Sequence, residues 1–219
     1  ITFGFFFLSK LLQKKTGWVL LNPILVAIAM LICFLQFTGV SYETYSEAGS
    51  LVEFWLKPAV VALGVPLYLQ LRMIKKQLMP ILISQLAGCV VGLVSVTIIA
   101  KLMGASPEVI MSLAPKSVTT PIAMEVSNAV GGIPSLTAAV VIVVGLFGAI
   151  CGFKLLQVGR VASPIAQGLS MGTAGHAVGT SRAMEVSGKY GAYASLGLTL
   201  NGILTALLSP TILHILGLY

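Results

Sequence analysis

Eight apolar runs, at 1–13, 18–38, 57–71, 78–100, 107–133, 134–153, 163–188 and 190–217, are separated by short groups of charges and helix breakers. Most of these runs are long enough for a helix at about 1.5 Å of rise per residue, and the longest predict helices that cross a bilayer. The third run is short and carries Pro58, Gly64 and Pro66, which predicts a kinked or tilted helix. Between the second and third runs, SYETYSEAGSLVE at 41–53 holds three of the six acidic residues and reads as a polar loop.

Laying the chain on itself at an offset of 60 brings AMEVS at 123–127 onto AMEVS at 183–187. At that offset twelve of the 26 positions from 111 to 136 are identical, including Met111, Ala114, Val118, Thr120, Gly131, Ser135 and Leu136. Such a match reads as an internal repeat. Each copy is interrupted by breakers, APKSVTTP at 114–121 and GTAGHAVGT at 172–180, so each predicts helix, break, helix, with non-helical tips at 115–121 and 174–180 that face each other. Thr120 followed by Pro121 has the pattern of an N-cap and first turn, and the aligned Thr180 keeps the capping hydroxyl. The halves on either side of a break are about ten residues, or about 15 Å, enough to reach half-way through a hydrocarbon core of about 30 Å.

Composition strengthens the membrane assignment. The chain of 219 residues is 57% hydrophobic and 9% charged, with a mean hydropathy of +1.01, and 126–153 and 190–219 contain no Lys, Arg, Asp or Glu. In a soluble protein the net charge of +7 would point to nucleic acid; here the basic residues sit between apolar runs, where topology accounts for them and no nucleic-acid partner is expected. Cys33, Cys89 and Cys151 lie inside apolar runs without CxxC or Cys/His spacing and read as small buried hydrophobes, implying neither metal nor disulfide. No cleavable signal peptide is visible, and a run already apolar at Ile1 reads as the remainder of a longer one.

By the positive-inside rule, Lys10, Lys14 and Lys15 lie in the cytoplasm, 41–53 outside, and Arg72, Lys75 and Lys76 inside again. The run 78–100 then ends outside, near Lys101 and Glu108. If 107–133 turns back as a re-entrant hairpin, the run 134–153 carries Lys154 and Arg160 to the cytoplasm; a full crossing would leave both outside. The charges favour the hairpin. A unit of one hairpin and one crossing has odd parity, so its second copy enters from the opposite face and the two tips meet near mid-membrane. Unwound backbone at that depth needs protein or a water-filled cavity around it, so polar function is expected there. The expected fold is an all-α, polytopic membrane bundle of inverted repeats with two broken, re-entrant hairpins: an N-terminal scaffold of four helices at 1–106, a first repeat at 107–158 and a second at 159–219.

Lys116, Glu125, His176, Arg182 and Glu185 are the ionisable residues in or just after the breaks, where an unpaired charge is costly. A cation in the first turn of a half-helix opposes the helix dipole, and a bound anion would resolve the conflict at Arg182. Half-helix N–H groups, the hydroxyls of Ser117, Thr119, Thr120, Thr180 and Ser181, and the forked Arg182 would together make a carboxylate receptor, with Lys116 beside it. Equally, Arg182 could pair with Glu185, and Glu125 with Lys116, as structural salt bridges. Glu125 and Glu185 read as carriers of a coupled proton or as counter-ions, and His176 as a proton relay or a hydrogen-bonded packing residue. His214 reads as interfacial. Asn22 before Pro23 and Asn201 can cap a helix or bond across an interface, Asn201 being the better site neighbour. Gly88, Gly92, Gly145, Gly148 and Gly152 read as close-packing positions. There is no GxSxG, HExxH or Walker loop, which leaves a membrane enzyme without a catalytic grouping and gives no cofactor pattern.

NPILVAI at 22–28, KPAVVAL at 57–63, MGASPE at 103–108, PKSVTTPIAMEVS at 115–127, GGIPSLTA at 131–138 and MGTAGHAVGTSRAMEVS at 171–187 resemble the LrgB/CidB/YohK family of bacterial membrane proteins over essentially the whole chain. The resemblance implies either of two functions described for that family: holin/antiholin-like regulation of murein hydrolases and autolysis, or transport of small carboxylates. It also implies a small LrgA/CidA-type membrane partner, and the plastidial glycolate/glycerate translocator looks like a fusion of the two parts. The expectation drawn is a secondary transporter of small 2-hydroxy or 2-oxo monocarboxylates (glycolate, glycerate, lactate or pyruvate) in the bacterial inner membrane, possible as a homo-oligomer, with murein-hydrolase regulation as the alternative.

Overall fold

The computed structural model describes residues 1–17, 21, 23–62, 68, 75 and 77–218. Among them helices are the only regular structure, and they fall into two units, Ile1–Pro58 and Ala59–Tyr219. Asn22, Gly64, Pro66, Arg72 and Lys76 lie outside the described residues.

In the first unit α1 (Thr2–Thr16) packs on α2 (Pro23–Thr38), with the Phe5 and Phe34 rings edge to face at 5.8 Å. Lys14 and Lys15 occupy the last turn of α1, where cations suit the dipole, and Gly17 closes it in the left-handed conformation (φ 67°), its N–H donating to the Gln13 carbonyl. The expected loop at 41–53 is instead the start of α3 (Tyr42–Ala62). The physical reason is a cap: the Thr44 N–H donates to Ser41 Oγ at 3.2 Å, and Glu43 stands in the first turn, where a carboxylate is favourable. Polar composition there marks an exposed helix rather than a break. Pro58 sits inside this helix, and most of the remainder of the expected 57–71 segment lies outside the described residues. Cys33, expected to be buried, is exposed.

The second unit contains three helices long and apolar enough to cross a membrane: α4 (Leu78–Leu102), α7 (Pro134–Val158) and α9 (Gly188–Ile215). Between them stand α5 (Pro107–Leu113), α6 (Thr120–Ala129) and α8 (Pro164–Val186). At about 1.5 Å per residue the three long helices run about 37–42 Å, and they are apolar all round although only 28% of the spanning windows of α4 and α7 is buried within the protein. Apolar side chains such as Leu86, Ile99, Val143, Phe147 and Leu207 face outward because their solvent is lipid. This is a helical membrane protein.

Both interrupted segments turn back on themselves. In the first, Ser112 of α5 and Ser127 of α6 converge on one hydroxyl: Thr137 Oγ1 lies 2.9 Å from the Ser112 carbonyl and 2.7 Å from Ser127 Oγ. Fifteen residues of continuous helix would hold those serines about 22 Å apart. In the second, Gly179 packs against the Met171 carbonyl, and Met171 shares a buried cluster with Ala183. The turn lies at His176, whose φ of 40° and ψ of −133° are not helical, so α8 is two arms joined by one residue.

The two hairpins enter from opposite ends. Hairpin 1 has its base at Thr137, near the start of α7, and its tip residue Val118 on Val141. Hairpin 2 has its base toward the far end of α7, with Met171 beside Phe153 and Gly152, and its tip at Gly148 and Gly145. Along α9 the order reverses: Leu169 and Tyr193 at its start, Met111 and Leu213 at its end. The inverted arrangement expected from repeat parity is therefore what the packing shows, and α7 and α9 run antiparallel. Gly145, Gly148 and Gly152 form the track on which hairpin 2 lies; a Cβ on Gly148 would stand 2.9 Å from Gly175 Cα, and one on Gly152 2.5 Å from Met171 Sδ. Gly92, expected to do the same, meets nothing within 4 Å and lines a cavity instead.

Candidate functional site

The tips meet around two residues that are themselves repeat mates at the offset of 60, Val141 and Asn201. His176 Nε2 donates to the Val141 carbonyl at 2.8 Å, and the Asn201 amide donates to the carbonyls of Ser117 (2.8 Å) and Thr173 (3.1 Å). One buried carboxamide thus ties both hairpins to α9. Its Oδ1 has no donor, and the buried hydroxyls of Thr119 and Thr180 are likewise unpartnered. Unmet hydrogen-bonding capacity of this kind is costly in an apolar medium and concentrates here around the tips.

Beside the tips opens a cavity of about 730 Å³, walled by α4, the hairpin 1 tip, the first arm of hairpin 2 and α9. Its polar lining includes Gln77, Ser84, Gln85, Lys116, Ser117, Ser163, Ser170, Thr173 and Asn201, with Cys89 and Thr205 at the α4–α9 seam. Thr173 Oγ1 donates to Gln85 Oε1 at 2.7 Å, and Lys116 Nζ donates to Ser117 Oγ at 3.2 Å. The size suits a small molecule with some water. Gln85 and Thr173 are participants that the reading of the sequence did not single out. Gln85 carried a signal, being a lone carboxamide within the apolar run 78–100.

Of the expected receptor residues, Lys116, Ser117 and Asn201 line this cavity; Thr119, Thr120, Thr180, Ser181 and Arg182 are not among its walls. Arg182 and Glu185 form a 2.7 Å ion pair on an exposed face. The alternative pairing of Glu125 with Lys116 is not formed: Glu125 is exposed, and Arg182–Glu185 is the only salt bridge among the described residues. His176 is buried and held to the Val141 carbonyl, as a packing residue would be.

The capping assignments shift. The first tip is non-helical over 114–119, and the N-cap of α6 is Thr119 rather than Thr120, with Pro121 in the first turn and no side-chain cap bond. Proline at the second helical position accounts for the register, since the missing N–H falls among those without an intrahelical partner. In the second copy only His176 leaves the helical region, so Thr180 lies within the second arm and caps nothing.

The LrgB-like family profile matches residues 2–215. The holin-like protein CidB of Staphylococcus epidermidis is 38% identical over 213 residues, covering 97% of this chain and 93% of the relative. The CidB of Staphylococcus aureus is 36% identical over the same shares, and the antiholin-like protein LrgB of Bacillus mycoides 35% identical over 95% of this chain and 91% of the relative. No solved structure matches. A profile spanning nearly every residue, with relatives alike from end to end, places the chain in the LrgB-like family.

Proposed function

We propose that the protein is a holin-like or antiholin-like component of the bacterial inner membrane that acts, with a small LrgA/CidA-type partner, on murein hydrolase activity. The observation that carries this reading is the 38% identity over 97% of the chain to a protein named holin-like CidB. Deleting the gene in its own host should change the rate of detergent-induced autolysis, and complementation should restore it. An unchanged rate would refute the role.

A second reading is favoured by one specific observation, the cavity at the meeting point of two inverted re-entrant hairpins. That arrangement supports a secondary transporter of small 2-hydroxy or 2-oxo monocarboxylates. Proteoliposomes should take up labelled glycolate, glycerate, lactate or pyruvate saturably. If a pH gradient drives accumulation, the carrier of the proton is sought among Glu125, Glu185 and His176, and neutralising the carrier, for instance by Glu125→Gln, should abolish accumulation while sparing counterflow; full accumulation in all three single neutralisations would refute the coupling. Uptake linear in concentration for all four acids would end this reading. Both readings share an orientation with Lys154 and Arg160 cytoplasmic and Glu47 outside, which impermeant labelling of single cysteines at 47 and 160 tests.

A further inference from the structure

We propose that Lys116 is the anion-binding residue of the cavity; this rests on the transporter reading. Lys116 is the one charged residue among the described residues of the cavity wall, and its sole polar partner there is the neighbouring Ser117 hydroxyl at 3.2 Å. Among the described residues no carboxylate pairs with it: the one salt bridge there joins Arg182 to Glu185. A half-buried ammonium without a counter-ion is a standing cost in a membrane protein unless a ligand supplies the missing charge.

Asn201 lines the same cavity and holds both hairpins beside Lys116, its two amide hydrogens donated to the Ser117 and Thr173 carbonyls. The site therefore lacks one negative charge, which a small carboxylate supplies. The repeat mate of Lys116 is His176, which is closed off against Val141, so the pseudo-symmetric position offers no second cation.

The test uses the purified chain in nanodiscs and reads the thermal unfolding midpoint in glycolate, lactate, pyruvate, uncharged glycolamide and nitrate. Wild type should be stabilised by glycolate, lactate and pyruvate, and not by uncharged glycolamide. Lys116→Met should unfold at a higher midpoint than wild type without ligand, because the uncompensated charge is gone, and should bind the carboxylates about tenfold more weakly or worse. Lys116→Arg should keep affinity within a few-fold, and Arg182→Gln should match wild type. Equal responses in Lys116→Met and wild type, or a lost response in Arg182→Gln, would overturn the assignment, as would a wild type that responds to no anion. A wild type that responds to nitrate through Lys116 but to no carboxylate would keep the anion site and remove the transporter reading.

Discussion

The two hairpins descend from one repeat unit yet are finished differently. Hairpin 1 breaks over six residues, 114–119, and this longer tip carries Lys116 and Ser117 into the cavity. Hairpin 2 turns at a single buried residue, His176, locked onto Val141. Their bases differ too. Hydroxyls close the first, Ser112 Oγ accepting from the Ile133 N–H at 2.7 Å and Thr137 Oγ1 bonding Ser127 Oγ, whereas the repeat mates of Ser112 and Thr137 are Gly172 and Gly197, where hairpin 2 lies directly on the α9 backbone and α9 on the hairpin backbone. One copy keeps polar groups available, and the other uses its small residues for contact. A duplicated unit can thus divide packing from chemistry once its halves no longer have to do both.

That division is open to attack at four points. The largest effect is expected at Gly172, where an added Cβ would run into the Ala194 carbonyl. Gly172→Val should destabilise by about 3 kcal/mol or more through overpacking, seen as loss of monodisperse protein in detergent-solubilised extracts. Ser112→Ala, at the matching position of hairpin 1, should instead be tolerated with a loss of about 1 kcal/mol. Equal losses would erase the contrast between a backbone contact and a hydroxyl seal.

Next comes the tight turn. His176→Ala removes the bond to Val141 but leaves a Cβ residue at φ 40°, for an expected loss of about 2 kcal/mol in thermal unfolding. His176→Gly loses the same bond yet relieves the backbone, so it should be less destabilising than alanine by about 1 kcal/mol. A glycine variant as unstable as alanine would mean that the ring alone holds the tip. At the junction of the hairpins, Asn201→Leu abandons both carbonyls and should cost about 1–2 kcal/mol, with faster hydrogen exchange at both tips rather than one. Exchange rising at one tip only would show that the tips are held independently. The smallest effect is expected for Arg182→Gln, whose exposed pair with Glu185 contributes about 0.5 kcal/mol or less. A larger drop would restore Arg182 to the structural core of hairpin 2.

The sequence alone determined that the chain is a helical membrane protein, that its second half is duplicated, and that each copy is broken near residues 115 and 176, because apolar length, self-similarity and helix breakers are local properties of the string. It also carried the inversion, since parity follows from counting crossings against the placement of lysines and arginines. It misplaced what depends on register. Thr120 looked like a cap, but Pro121 moved the helix start to include it and left Thr119 at the boundary. The run 41–53 has the polarity of a loop, but the Ser41 hydroxyl caps it into a helix.

Only the tertiary structure decided which polar residues meet. Arg182 carries the strongest fork in the repeat and was the obvious receptor residue, yet six residues beyond the turn at His176 it lies on an exposed face, where its near neighbour Glu185 satisfies it. Lys116 reaches the cavity because its tip is unwound, and Gln85 and Thr173 join it from two other helices 88 residues apart in sequence. A spacing of three or four along one helix can be read from a string. The convergence of α4, α9 and two hairpins on Asn201 cannot, because it depends on how closely glycine-lined backbones approach.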